Sequence, residues 1–346
     1  MSPHALSMLL SSLLAGTVIT LISNHWFLAW MGLELNTLAI IPLMSNAHHP
    51  RATEAATKYF LIQATTSALL LFATTLNAWY TGEWTIINMQ ATAPTLMLTM
   101  ALLIKLAVAP FHLWMPDVMQ GLDLTTCLIL STWQKLAPMT LLIQMAPKMD
   151  STLLISLGLL SLLIGGWGGL NQLQLRKVMA YSSIAHLGWM IMVLSFLPNL
   201  ALLNLLIYLL MTTSMFLMMM NLSSTDMNKM ASSWMKNLPI ASAMMMILMS
   251  LGGLPPTSGF LPKWLVLEEI IKQNLMPLAT ITAISALLSL FFYLRLSYSM
   301  SLTTPPTPLN SKFMWRLKTK PNLILTMMII TSTLLLPITP SILNMM

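Results

Sequence analysis

Apolar runs of about twenty residues follow one another along this chain, about eleven in all, with only short joins between them. A run of that length crosses the hydrocarbon core of a bilayer as a helix. The runs fall at 3–22, 25–44, 54–79, 94–120, 124–145, 151–171, 176–197, 200–220, 239–272, 277–300 and 322–344. Proline punctuates several of the joins, at Pro50, Pro147, Pro198 and Pro277, then at Pro305, Pro306 and Pro308. Composition agrees: 57% of residues are hydrophobic and 7% are charged, where a soluble domain carries about 25% charged residues. So few charges cannot cover a water-facing surface. The predicted fold class is an all-α polytopic membrane protein. The opening, MSPHALSMLLSSLLAG, has no lysine or arginine, so it reads as the first span rather than as a cleaved targeting segment.

Charge in the joins gives an orientation. With the N-terminal side labelled "in", the in-side joins and flanks hold Arg51, Lys58, Arg176, Lys177, Lys229, Lys236, Lys312, Arg316, Lys318 and Lys320. The out-side joins hold only Lys148 and Lys272. Basic residues favour the inner face, so the N-terminus is expected inside and the C-terminus, after eleven crossings, outside. The net charge of +7 is thinly spread, with no cluster of basic and aromatic residues. It is a topology signal, and no nucleic-acid partner is expected.

Two spans cannot run straight. The fourth, MALLIKLAVAPFHLWMPDV, contains Pro110 and Pro116. The ninth, MSLGGLPPTSGFLPKW, contains Gly252, Gly253, Pro255, Pro256, Gly259 and Pro262. Proline removes a backbone donor and clashes with the preceding turn. Irregular backbone at membrane depth survives only inside protein or along a wet cavity. The breaks lie five spans apart, and five is odd, so two such units in series face opposite ways. This is the pattern of inverted-repeat transporters, in which paired broken helices mark an ion path. The expected division is 1–146 (break at about 106–112), 147–301 (break at about 252–260), and 302–346 as a loop and last helix. Packing kinks alone would not explain why each break lies close to a lysine.

Charges within the spans are the candidate site. Glu34 lies midway along the second span, and Lys105, Lys135, Lys263 and Arg295 lie within others. Each charge at the bilayer centre costs about 2.5–3.5 kcal/mol on insertion scales, so each needs a partner, water or a function. Glu34 has no basic neighbour within four positions, and Lys105, also mid-span, is its first candidate partner. Two buried titrating groups form one coupled site, whose proton affinity depends on their separation. Desolvation loosens a lysine's hold on its proton, which suits Lys105, Lys135 and Lys263 to a proton relay. Lys263 could instead snorkel, and Arg295, near a span end, reads as a snorkelling residue.

Other features exclude chemistry. One cysteine, Cys127, rules out an iron–sulfur site and a disulfide framework. His112 and His186 have no second ligand at i, i+4 spacing and read as packing or hydrogen-bonding residues, with relay membership the functional alternative. His48 and His49 carry no clear signal. Gly165 to Gly169 (GGWGG) follows no strand and reads as close helix packing. Glu268 and Glu269 read as solvated.

Five motifs together resemble a known family: WMGLELNTLAIIPLM around Glu34, KLAVAPFHLWMPDV from Lys105, STWQKLAP around Lys135, KVMAYSSIAHLGWM around His186, and GGLPPTSGFLPKW before Lys263. They are similar to the antiporter-like membrane subunits of mitochondrial NADH:ubiquinone oxidoreductase (respiratory complex I), in the short animal form of the second subunit. The resemblance implies two inverted five-helix repeats. It implies Glu34 and Lys105 as a control pair, Lys135 as the central relay lysine and Lys263 as the lysine of the second broken helix. His112 and His186 match polar positions of the hydrated axis. It further implies the mitochondrial inner membrane with the "in" side as matrix, and synthesis inside the organelle, consistent with 34 methionines. Expected partners are other membrane-arm subunits, including a neighbouring antiporter-like one, accessory subunits and cardiolipin. NADH, FMN, iron–sulfur clusters and ubiquinone are expected on other subunits, and no cofactor or metal on this chain. The rival readings are a stand-alone cation/proton antiporter and a structural spacer.

Overall fold

The computed structural model describes residues 2–46, 49–89, 91–255, 257–302 and 323–341. Lys312, Arg316, Lys318 and Lys320 of the expected topology signal lie outside the described residues, as do His48, Pro256, Pro305, Pro306 and Pro308. Two compact units are present, Met1–Ser161 and Leu162–Met346.

The first unit contains α1 (Pro3–Ile22), α2 (Trp26–Ser45), α3 (Pro50–Thr81), α4 (Thr92–Leu106), α5 (Trp114–Gly121), α6 (Leu124–Ser131) and α7 (Trp133–Met145). The helix α8 (Ser151–Gly169) carries the chain into the second unit. There follow α9 (Leu175–Leu194), α10 (Pro198–Leu222), α11 (Met227–Ala231), α12 (Leu238–Gly252), α13 (Phe260–Lys272), α14 (Met276–Leu302) and α15 (Leu323–Leu334). Among the described residues, seven helices are long and apolar enough to cross a membrane: α1, α2, α3, α8, α9, α10 and α14. The other expected spans are the interrupted pairs α4–α5, α6–α7 and α12–α13, and the shorter α15. Proline sits in the first turn of α1, α3 and α10, where its missing N–H would be unpaired anyway.

Element order repeats along the chain. Three long helices precede a 15-residue half-helix, α4 in one case and α12 in the other. Each half-helix stops at a left-handed residue, Ala107 (φ 63°) or Gly253 (φ 78°). The same sequence distance separates Thr92 from Leu238, Leu106 from Gly252, and Trp114 from Phe260. The breaks expected at about 106–112 and 252–260 are therefore present.

One expected span differs. Residues 124–145 are not continuous but divide at Thr132, between α6 and α7. The Thr132 hydroxyl donates to the Leu128 carbonyl at 2.7 Å, and Pro138 leaves α7 without the bond that would hold Gln134. The last span is interrupted after Leu334, where a 3-10 turn at Leu336–Ile338 contains Pro337 and residues 339–341 are helical again.

Packing rests on small residues, as expected where lipid supplies no hydrophobic drive between helices. A Cβ on Gly16 would stand 2.8 Å from the Gly32 carbonyl oxygen, and one on Gly32 would stand 2.7 Å from the Gly16 oxygen. Thus α1 and α2 cross backbone to backbone. In the second unit a Cβ on Gly165 would lie 2.7 Å from the Ala185 nitrogen, and Gly168 packs on the Tyr181 ring, so the GGWGG segment is a packing surface. Gly16→Val should force α1 from α2 and lower stability by about 1–3 kcal/mol, as overpacking does. The check is the thermal unfolding midpoint of the purified assembly; an unchanged midpoint would contradict this tight crossing.

Candidate proton-relay site

In the first unit, α4 delivers Lys105 in its last turn, where the chain turns left-handed at Ala107. The Trp114 indole, at the start of α5, donates to the Ile104 carbonyl at 3.3 Å, a second donor beside the Ala107 N–H at 3.0 Å. Its ring meets Tyr59 of α3 edge-on at 5.9 Å. Lys135 enters one turn after the α6–α7 break, on α7. The two lysines, 7% and 4% exposed, share one buried cavity of about 20 Å³. Asn36, Thr37, Tyr59, Gln63 and Gln134 add polar side chains to its lining.

Glu34 occupies the middle of α2 and is half-buried. Its carboxylate acts electrostatically on Lys105 and on Tyr59. The two charges do not close into an ion pair: neither Glu34 Oε2 nor Lys105 Nζ has a hydrogen-bond partner. Ion pairs among the described residues lie at exposed positions, Lys58 with Glu54 (2.7 Å) and Asp117 (3.8 Å), Lys229 with Asp226, and Lys272 with Glu268. The Lys58 cluster lines a polar cleft of about 220 Å³ with Arg51 and Gln120. Tyr59 and Met115, next along the same two helices, line the Lys105 cavity. The α3–α5 seam therefore carries a charged cleft and the lysine cavity one turn apart.

His112 lies in the loop after the break, buried, with Nδ1 at 3.2 Å from the Pro110 carbonyl oxygen. No group of three His, Cys, Asp or Glu able to hold a metal occurs among the described residues.

The second unit holds His186 and Lys263. His186 is buried on α9, with its ring 5.5 Å from that of Tyr208 on α10. The Tyr208 phenol hydrogen bonds with Ser183 and Thr212 and feels the Tyr293 phenol of α14. Tyr293 in turn packs beside Gly252, where α12 ends. Lys263 folds back from α13 onto that end, donating to the carbonyls of Gly252 (2.8 Å) and Leu251 (3.4 Å). It is neither snorkelling nor loose; it caps the broken helix. Arg295 behaves likewise, donating to the Leu170 carbonyl at 2.6 Å just past α8.

Sequence reasoning missed the aromatic and amide members: Tyr59, Gln63, Asn36 and Gln134 around the lysine pair, and Tyr208 and Tyr293 between His186 and Lys263. The signal that marks them is a polar side chain inside an apolar span, weaker for a tyrosine or an amide than for a charge.

Comparison with known proteins follows this architecture. Residues 23–289 match the family model described as NADH:quinone oxidoreductase/Mrp antiporter, transmembrane, and residues 290–343 match that of the NADH dehydrogenase subunit 2 C-terminus. The chain is 57% identical over 346 residues to NADH-ubiquinone oxidoreductase chain 2 of Tetraodon nigroviridis, covering 100% of this chain and 99% of that one. It is 55% identical to the protein of the same name from Xenopus laevis, covering 98% and 99%. Among solved structures, a chain of respiratory complex I from Thermus thermophilus superimposes with TM-score 0.85 at 25% identity, over 97% of this chain and 78% of that one. A chain of the Mrp complex from Dietzia shares the fold at TM-score 0.78 and 18% identity, over 86% and 60%. The fold is that of the antiporter-like membrane subunits. Within that class, the chain belongs to the NADH-ubiquinone oxidoreductase chain 2 family.

Replacing Lys263 by Met leaves the Gly252 and Leu251 carbonyls uncapped, a loss of about 1–3 kcal/mol for such buried groups. Hydrogen exchange across residues 249–260 should then lose protection by about tenfold or more. Unchanged exchange would mean the lysine is not holding this helix end.

Proposed function

We propose that this chain is a proton-translocating membrane-arm subunit of respiratory complex I, coupling NADH:ubiquinone electron transfer on other subunits to proton movement through buried Glu and Lys residues. The observation that carries the reading is the pair Lys105 and Lys135 on one water-sized cavity, in a chain related end to end to the chain 2 subunits. Its enzymatic role is that of a translocase subunit. NADH, FMN, iron–sulfur clusters and ubiquinone are assigned to other subunits, and no metal to this one.

In this reading Glu34 and Lys105 form the control pair. Charge or movement transmitted from a neighbouring subunit changes the field of Glu34 at Lys105. Lys105 then gives up its proton toward Lys135, and Lys263 receives it further along. His112 and His186 serve as polar stations beside the lysines, with Tyr208 and Tyr293 extending the second. The unpartnered Lys105 Nζ and Glu34 Oε2 support this: a closed ion pair would hold its proton against transfer, while two separated charges exchange it when their distance changes.

The same reading places the chain in the mitochondrial inner membrane, N-terminus in the matrix and C-terminus in the intermembrane space. Two inverted five-helix repeats, 1–146 and 147–301, precede the last segment, 302–346. Partners are a neighbouring antiporter-like subunit, other membrane-arm and accessory subunits, and cardiolipin. A stand-alone cation/proton antiporter is less well supported, because the likeness to the Mrp chain extends to fold and the full-length likeness is to chain 2 subunits.

Glu34→Gln and Lys105→Met should leave the assembly intact on native electrophoresis with an in-gel NADH dehydrogenase stain, while coupled turnover and the proton-to-electron ratio fall. Normal pumping in both variants would refute the control pair. Cation transport by the isolated, reconstituted chain would favour the antiporter.

A further inference from the structure

Resting on that reading, we propose that Asn36 holds a water molecule between Lys105 and Lys135 and so positions the proton transfer between them. Asn36 lies in the middle of α2, 2% exposed. A polar side chain at such a place normally bonds a neighbouring helix. This one does not: Oδ1 and Nδ2 both lack a hydrogen-bond partner. The Oδ1 atom rests over Gly16, where a Cβ would stand 2.5 Å away. The side chain is therefore pinned at the α1–α2 crossing while it lines the lysine cavity.

Lys105 lines the same cavity, and its Nζ is also unpartnered. Buried polar groups without a protein partner are nearly always bonded to ordered water. A water needs roughly 10–15 Å³ and two to four polar partners, and the cavity offers about 20 Å³. Its oxygen accepts from the Asn36 amide and the Lys105 ammonium, which turns its two hydrogens outward, one toward Lys135.

The transfer balances. An N–H bond of the Lys105 ammonium breaks as its proton joins the water oxygen, and a water O–H breaks as that proton joins the neutral Lys135 amine. The water is regenerated and one positive charge has moved. Asn36 exchanges no proton and acts only by position. It stands two residues after Glu34 on one helix, so a shift of α2 that changes the Glu34–Lys105 separation also moves the water's anchor.

The test uses the assembled complex. An electron-microscopy map at a resolution that shows waters should place density beside both Asn36 and Lys105. Asn36→Leu, which keeps the branching but is apolar, should lose that density, lower the proton-to-electron ratio and change the solvent deuterium isotope effect. Asn36→Ser, which keeps a polar atom and room for water, should recover pumping. An empty cavity in the unaltered complex overturns the inference, as does normal pumping in Asn36→Leu. Should Asn36→Leu fail to assemble, the map and the serine variant still decide. Loss of pumping in Lys105→Met but not in Asn36→Leu would sink this inference alone; normal pumping in both would sink the relay itself.

Discussion

A helix that stops inside a bilayer releases carbonyls that lipid cannot satisfy, and the protein must supply donors for them. That requirement organises both units. At the end of α4 the donors are the Ala107 and Val108 N–H groups on Ile104 and Leu103, with the Trp114 indole as a second donor to Ile104. At the end of α12 the side-chain donor is the Lys263 ammonium on Gly252 and Leu251, and past α8 it is Arg295 on Leu170. Glycine is required at one of these joints: Gly253 has φ 78°, and a Cβ there would stand 2.9 Å from the Lys263 side chain. Hydroxyls bonded one turn back, such as Thr132 to Leu128, satisfy further carbonyls within the spans.

This divides the buried cations by function. Lys263 and Arg295 are held by carbonyl dipoles, so their charge serves the fold even if it also serves transport. Lys105 has no such anchor; its Nζ is unpartnered and lies in the field of Glu34. Separation is the adjustable quantity. Two unit charges near a protein interior interact by about 4 kcal/mol at 4 Å and about 2 kcal/mol at 8 Å, taking an effective dielectric constant of about 20. The difference corresponds to roughly thirtyfold in proton affinity. A few ångströms of helix movement is thus enough to decide where a proton rests, and no covalent chemistry is needed.

Much of this was legible in the sequence, because apolar length and proline–glycine punctuation are strong signals. The long helices begin and end within a few residues of the hydropathy runs, and both expected breaks occur. The break at Thr132 was hidden: no glycine marks it, and its cause combines a local hydroxyl bond with Pro138 six residues on. The meeting of Lys105 and Lys135 in one cavity was not legible either, since it depends on how α4 and α7 pack, which no spacing within one helix encodes. Lys263 illustrates the same gap. Its position after a break was plain, but its bond to the end of the preceding half-helix is made by the side chain across the broken segment, which no spacing within one helix encodes. Tyrosines and amides carry no charge signal, so Tyr59, Asn36, Tyr208 and Tyr293 emerged only from their neighbours.

The helix α2 concentrates these effects within two turns. Gly32 fixes it to α1 by backbone contact, Glu34 projects its field on Lys105, and Asn36 borders the lysine cavity. A rigid helix cannot move one of these without the others. The crossing at Gly16 and Gly32 leaves no slack for α2 to slide alone, so α1 and α2 must respond as one body. An input that displaces that body alters a charge separation and a cavity wall in the same stroke. On the proposed relay, that is how an antiporter-like fold is driven by its neighbours.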